Sequence, residues 1–344
     1  MSAKSQKKGS LVSKASGLLK LLVIIAVAFG CAEAIARVVN VNPKDEYLYS
    51  SSPVDDDPAL AYKNRRNARI RLVRKFDGKL ISDSSYTTDE YGRRTVPGAH
   101  RSASRRSILF FGCSFTFGEG VNDDQTMPFY VAEASSTYRV YNYGVSGYGP
   151  QQMLVQLENP ELPDQVENKD EAIAVYTFID HHIQRVIGSM ELMSYAARFP
   201  YYRMDDRNEL VRTGTFQSGR PFLTELDVWL GKSSLVQFLR RRLGFPKTTE
   251  EDVRLTAKII EESRNAFMQR FHSQRFYVLI YPRVGGPFVP RLLAYLNKAG
   301  IKYFDYSPAT GAAMADTLPH DSHPSARSYR AVAMRLARDL GVAG

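Results

Sequence analysis

The sequence has little cysteine: two residues in 344, Cys31 inside an apolar run and Cys113 at the end of a strand-like stretch. That count excludes a disulfide-framed small fold. Histidine is nearly as scarce, with six residues. The adjacent His181 and His182 point apart on an extended chain, and no third or fourth ligand is spaced for zinc, so no metal site is expected. The glycine-rich "GCSFTFGEG" lacks the Lys-Ser/Thr of a phosphate-binding loop. No cofactor is expected. Acid is missing from the first 20 residues, where Lys4, Lys7, Lys8, Lys14 and Lys20 supply half of the net charge of +10. The remainder is only mildly basic. Its densest part, "YKNRRNARIRLVRK" with "RRSI", alternates like the solvated face of strands and has no basic–aromatic stripe, which excludes a nucleic-acid partner.

After the lysines comes "GLLKLLVIIAVAFGCAEAIARVV", uncharged from Leu21 to Ala32 and extended by apolar residues around Lys20 and Glu33. The uncharged part is short of the roughly 20 residues that span a bilayer, but Lys20 can snorkel and a helix can continue toward Val39. Three readings compete. The leading one is an uncleaved anchor with its lysines in the cytoplasm. A cleaved secretory signal fits the small-x-small "AEA" at 32–34. A lipoprotein with Cys31 lipidated fits less well, because Phe29 sits badly in the small-residue context such a site wants. All three put residues from about 40 onward outside the cytoplasm, and the first predicts a single-pass protein of the inner membrane facing the periplasm.

Hydrophobic residues at 44% and charged residues at 24% describe a globular chain. Residues 1–17 read as a disordered basic tail and 18–39 as the membrane segment. Residues 40–104 read as a Pro/Asp/Ser-rich linker followed by a β-hairpin around Asp77-Gly78. Residues 105–344 form the main domain. There "SILFFG", "YRVYNYG", "EAIAVYTFI", "RFYVLIYP" and "KYFDYS" read as strands. Between and after them, "MPFYVAEA", "PQQMLVQLENPEL", "TEEDVRLTAKIIEESRNAFMQRF", "FVPRLLAYLNKAG" and "SARSYRAVAMRLARDLG" read as helices. Alternation of that length predicts an α/β fold, a three-layer α/β/α flavodoxin-like parallel sheet with its chemistry at the carboxyl ends of the strands. It is interrupted at 185–248 by an insertion, with a hairpin at "PYYRMDDRNELVRTGTF" and an amphipathic helix at "SSLVQFLRRRLG". An insertion there is as well placed to shape a substrate pocket as to be a solvated excursion.

Three strand ends and one loop carry polar groups. Gly112, Cys113 and Ser114 stand where the first main-domain strand stops, so a hydroxyl and unpaired backbone N–H groups can face one substrate atom. Either Ser114 or Cys113 faces the site, since neighbouring side chains at a strand end point apart. The second strand ends in "NYGVSGYG", whose Gly144, Gly147 and Gly149 make a tight turn or let backbone approach a ligand. The third ends in "FIDHH", with Asp180, His181 and His182 at the same edge. In "LPHDSHPSARSYR", Asp321 and His323 share a loop ahead of a helix, so a carboxylate can orient an imidazole.

In this order the motifs resemble the SGNH hydrolases, also called the GDSL family. "FFGCSFTFG" corresponds to their strand and Gly-Asp-Ser, "NYGVSGYG" to their Asn-x-Gly-x-x-Gly turn, and "DSHPS" to their Asp and His on one loop. The resemblance implies Ser114 as nucleophile, His323 as base and Asp321 as its orienter, with the Ser114 and Gly147 N–H groups as oxyanion donors. "TDEYGRR" at 88–94 also looks like the lead-in of membrane-anchored bacterial members. Two positions depart from the family: Cys113 stands where Asp is usual, and Asp180 where an Asn donates to the oxyanion. An ionised carboxylate cannot donate. Asp180 is therefore held protonated by burial, or His181 substitutes, or the hole has two donors. The family implies an esterase or O-acyltransferase acting on ester-linked acyl groups, acetyl first, of a surface polysaccharide. Its partners are then an acylated carbohydrate or lipid substrate, the membrane, and envelope polysaccharide machinery. The competing expectation is a catalytically weak SGNH fold kept as a carbohydrate-binding or scaffold subunit, or a lipid esterase.

Overall fold

The computed structural model describes residues 3–39, 44–98, 106–167, 169, 171–243, 248–283, 285–309 and 311–344. Parts of the expected linker, at 40–43 and 99–105, lie outside the described residues. The chain opens with helix α1 (Ala3–Val39). Five short strands follow: β1 (Asp45–Tyr49), β2 (Val54–Asp57), β3 (Ala61–Asn64), β4 (Arg69–Phe76) and β5 (Lys79–Thr87). The main domain runs β6 (Arg106–Phe111), α2 (Ser114–Phe117), α3 (Met127–Ala134), β7 (Tyr138–Asn142), α4 (Pro150–Glu158), β8 (Glu171–Phe178) and α5 (His181–Ile187). The insertion holds α6 (Met193–Ala196), β9 (Pro200–Met204), β10 (Leu210–Thr215), α7 (Phe216–Gly219), α8 (Pro221–Gly231) and α9 (Ser234–Leu243). The domain closes with α10 (Glu250–Phe271), β11 (Phe276–Ile280), α11 (Phe288–Lys298), β12 (Lys302–Asp305) and α12 (Ala326–Asp339).

The central sheet has five strands in the order β12-β11-β8-β6-β7, all parallel. Its middle strands are buried on both faces, which is why "SILFF" and "AIAVYTF" are unbroken apolar runs rather than alternating ones. Ile108 pairs with Val140 on one side and Ile173 on the other. Helix α3 packs on α12, whereas α10 packs on α4, α5 and α11, so helices cover both faces. This is the flavodoxin-like order, whose switch point lies between β6 and β8. Ser114 follows the first of these strands and α5 the second, so both motifs meet at the crevice where such sheets hold ligands.

Two expectations change. The basic tail at 1–17 is not separate from the membrane segment: from Ala3 it is helical and continuous with it. Lys, Ala, Gln and Leu are strong helix formers and no proline interrupts them. The insertion also carries an unexpected helix, α8, whose start at Pro221 fits the first-turn position that proline favours. Within α1, Leu19–Val39 is long and apolar enough to cross a membrane.

The lead-in packs against the main domain. Strand β4 pairs antiparallel with β1 and β5. Arg94, in "YGRR", has a fully buried side chain. It donates to Asp123 at 2.9 Å and to the carbonyls of Phe117 at 3.0 Å, Gly118 at 2.6 Å and Val121 at 2.7 Å. One guanidinium thus pins the turn that follows Ser114. Arg94→Ala would remove the buried ion pair with Asp123 and the guanidinium's hydrogen bonds to three carbonyls, so we expect a loss of about 3–5 kcal/mol in denaturant unfolding, the usual cost of breaking a buried ion pair. A change under about 1 kcal/mol, the worth of an exposed pair, would show that the network is not holding the turn.

Candidate active site

Strand β6 ends in Gly112, whose φ of +147° suits glycine, and a Cβ there would meet Thr116 Oγ1 at 2.4 Å. The turn it permits brings Ser114 to the first position of α2, where its Oγ lies 2.8 Å from His323 Nε2. On the other side of the ring, His323 Nδ1 lies 2.9 Å from both carboxylate oxygens of Asp321. Asp321 also accepts the His323 backbone N–H at 3.1 Å. The loop is closed by Leu318 N–H to His323 O, and Ser325 caps α12 directly after it. Serine, imidazole and carboxylate therefore form one hydrogen-bonded line. Cys113 does not share it: its side chain is fully buried in the core.

The glycine turn stands beside the serine. Asn142 is buried and donates to Thr116 O at 3.0 Å, while its Oδ1 accepts the Gly144 N–H at 3.0 Å, tying the first two motifs together. Gly147 has φ +87°, and a Cβ there would meet the Tyr62 hydroxyl at 2.3 Å. Tyr62, from lead-in strand β3, donates to Ser146 O at 2.8 Å and so holds the turn from outside. Among the described residues, neither the Ser114 nor the Gly147 N–H has an acceptor.

Asp180 and His181 do not join the hydrogen-bonded line. The Asp180 side chain is half exposed and accepts the His181 N–H at 2.9 Å. The burial that one of the alternatives for Asp180 required is absent. Both residues line a cavity of about 340 Å³ whose wall also includes Phe115, Tyr281, Arg283 and Asp321. This cavity borders the triad at Asp321, with Ser114 and His323 just outside its lining. His182 is a core residue, its Nδ1 lying 2.6 Å from Tyr176 Oη. Burial holds its imidazole well below the ordinary value.

Two arginines at the site escaped the sequence reading. Arg74, on β4, is buried, makes an ion pair with Asp321, and binds Asp45 through two hydrogen bonds of 2.8 and 2.6 Å. It stands in phase with the inward Ile70 and Leu72, so strand alternation turns it to the buried face, a signal that the basic character of the stretch obscured. Arg185, on α5, donates to Tyr148 O at 2.7 Å, next to the Gly147 turn, and among the described residues its buried Nε has no hydrogen-bond partner. A glutamine or leucine would suit that helical position equally well, so spacing alone could not single it out. Burial lowers the basicity of His323, opposed by Glu119 and reinforced by Arg74 and Arg185. Among the described residues, no cluster of three His, Cys, Asp or Glu side chains is placed to hold a metal.

Several solved structures are similar to this chain. A member of the lipolytic protein G-D-S-L family from Veillonella parvula is 13% identical over 68% of this chain and 97% of its own, with a TM-score of 0.40. An acetyl xylan esterase from Butyrivibrio proteoclasticus is 12% identical over 81% of this chain and 72% of its own, with a TM-score of 0.36. A family two carbohydrate esterase from Cellvibrio japonicus is 10% identical over 87% of this chain and 99% of its own, with a TM-score of 0.37. No protein-family model and no curated protein matches the chain. Likeness this slight carries no chemistry, which has to come from the side chains.

A base must be neutral to accept a proton, and the depressed basicity of His323 keeps it neutral at lower pH. For any ester this chain turns over, the acid limb of kcat/KM should fall below about pH 6.5, the ordinary imidazole value. Arg74→Gln removes a positive charge that disfavours imidazolium, so the limb should move to higher pH, while Arg74→Lys should hold it near its original place. An unmoved limb in Arg74→Gln would exclude electrostatic contact between Arg74 and the base.

Proposed function

We propose that this chain is a membrane-anchored serine esterase or O-acyltransferase of the SGNH type, acting on ester-linked acyl groups, acetyl first, of an extracytoplasmic polysaccharide. The observation that carries the reading is the 2.8 Å contact of Ser114 Oγ with His323 Nε2, backed by Asp321 on the other ring nitrogen. His323 Nε2 takes the serine proton as Oγ attacks the ester carbonyl, and Asp321 stabilises the imidazolium that forms. The carbonyl oxygen becomes an oxyanion facing the N–H groups of Ser114 and Gly147. On collapse, the sugar oxygen leaves with the proton from Nε2, and the acyl group stays on Ser114. Water, or a second sugar hydroxyl, then gives its proton to Nε2 and takes the acyl group, which restores the serine.

The hole in this reading has two backbone donors rather than the family's three. Arg185 compensates in part, since a buried guanidinium next to the Gly147 turn favours the developing negative charge. Asp180 and His181 are assigned to the substrate, at the rim of the neighbouring cavity, where polar side chains suit sugar hydroxyls. Residues 1–39 anchor the chain with its lysines in the cytoplasm, which puts 40–344 in the periplasm as one catalytic body. The lead-in at 40–104 belongs to that body because Arg74 reaches Asp321.

The deciving test is direct. The full chain, in detergent, is treated with a fluorophosphonate probe and the adduct mapped by mass spectrometry. The expected result is labelling of Ser114 that is lost in both Ser114→Ala and His323→Ala, followed by release of acetate from acetylated polysaccharide. A folded wild-type chain that takes up no probe would overturn the enzyme reading in favour of a binding subunit.

A further inference from the structure

We propose that α8 and the outer face of α9 form a second membrane-contacting surface, lying in the headgroup region of the bilayer that α1 crosses. Helix α8 exposes Phe222 at 77%, Leu223 at 52%, Leu226 at 38% and Trp229 at 61% of their surfaces. Residues 222, 226 and 229 are spaced i, i+4, i+7 and therefore share one face. Leu239 and Leu243 on α9 are exposed as well. Thr224, by contrast, is turned inward and donates to Phe216 O at 2.8 Å, which sets which side of α8 faces out. So large an apolar face on a folded domain marks a contact surface.

The position of α1 says what covers it. Glu33 caps the start of α9: its carboxylate accepts the Ser233 hydroxyl at 2.7 Å and the Ser234 and Leu235 N–H groups at 2.9 Å each. Ala36, one turn on, is buried where α1 packs against α9. Glu33 precedes the end of the apolar span, Val39, by six residues, or roughly 9 Å of helix. A helix clamped there starts about 9 Å inside the end of the apolar span, the depth to which an interfacial helix sinks its apolar face. Helix α8 packs directly on α9 and must lie beside it. Aromatic and leucine side chains facing lipid, with the exposed Arg242 following on α9, are the composition of an interfacial helix. A bilayer is therefore the occupant that the geometry requires.

The inference rests on the reading of α1 as a membrane span, and one preparation separates the two. Trp229 is the only tryptophan in the chain, so the unmodified protein reports on its own surface. The full chain is reconstituted in phosphatidylethanolamine–phosphatidylglycerol vesicles, with or without brominated acyl chains. The expected result is a loss of most Trp229 emission in the brominated vesicles, together with protection from aqueous iodide. Resistance to alkaline carbonate reports on α1 separately. A chain that resists carbonate but whose Trp229 is quenched by iodide and untouched by bromine keeps its anchor and overturns this inference alone. Protection from iodide without bromine quenching would mean that protein covers α8, which also overturns it. Release by carbonate would overturn both readings.

Discussion

A hydroxyl and an imidazole 209 positions apart in sequence meet at 2.8 Å, and the rest of the structure can be understood as what keeps them there. The parallel sheet supplies the coarse placement, because every strand ends on the same edge. Sheets of this kind position backbone well but leave side chains at the edge free to turn. The fine placement comes from groups that have no freedom: Gly112 at positive φ, Asn142 bonded to the motifs on both sides, and Asp321 held against both the ring and the backbone of His323.

Buried guanidinium groups do the corresponding work between distant segments. Arg94 holds the turn after Ser114, Arg74 ties the lead-in to Asp321, and Arg185 joins α5 to the glycine turn. Arginine suits this role because its planar fork donates in several directions at once and keeps its charge when buried. The consequence is a candidate site with positive charge close to His323, which disfavours its imidazolium form. The lead-in, a small sheet that looks dispensable beside the main domain, is what brings Arg74 and Tyr62 to the site.

The insertion joins this site to α1. Tyr195, in the insertion, lies 3.6 Å from where a Cβ on Gly147 would stand, and the same insertion carries α9 onto Glu33. Among the described residues, a path of packed elements therefore runs from the glycine turn to α1.

The five strands of the central sheet, the helices between them and the four polar motifs were legible in the sequence because each is a local pattern: an apolar run, a helical period, a glycine cluster, or Asp and His two apart. Strands β1–β3, in the stretch read as linker, and helix α8 were not. The pairing of Ser114 with His323 was legible only through the resemblance of those motifs in order, and the structure supplies the contact itself. What only the tertiary structure decided is what each inward group meets. Alternation with Ile70 and Leu72 turns Arg74 inward and Arg71 outward, but only the fold sets Asp321 against the first, while the second pairs with Asp83 at the surface. The half-exposed setting of Asp180 and the apolar face of α8 beside α1 were decided by the fold as well. A side chain's partner depends on what a distant part of the chain packs against it, and no local pattern carries that information.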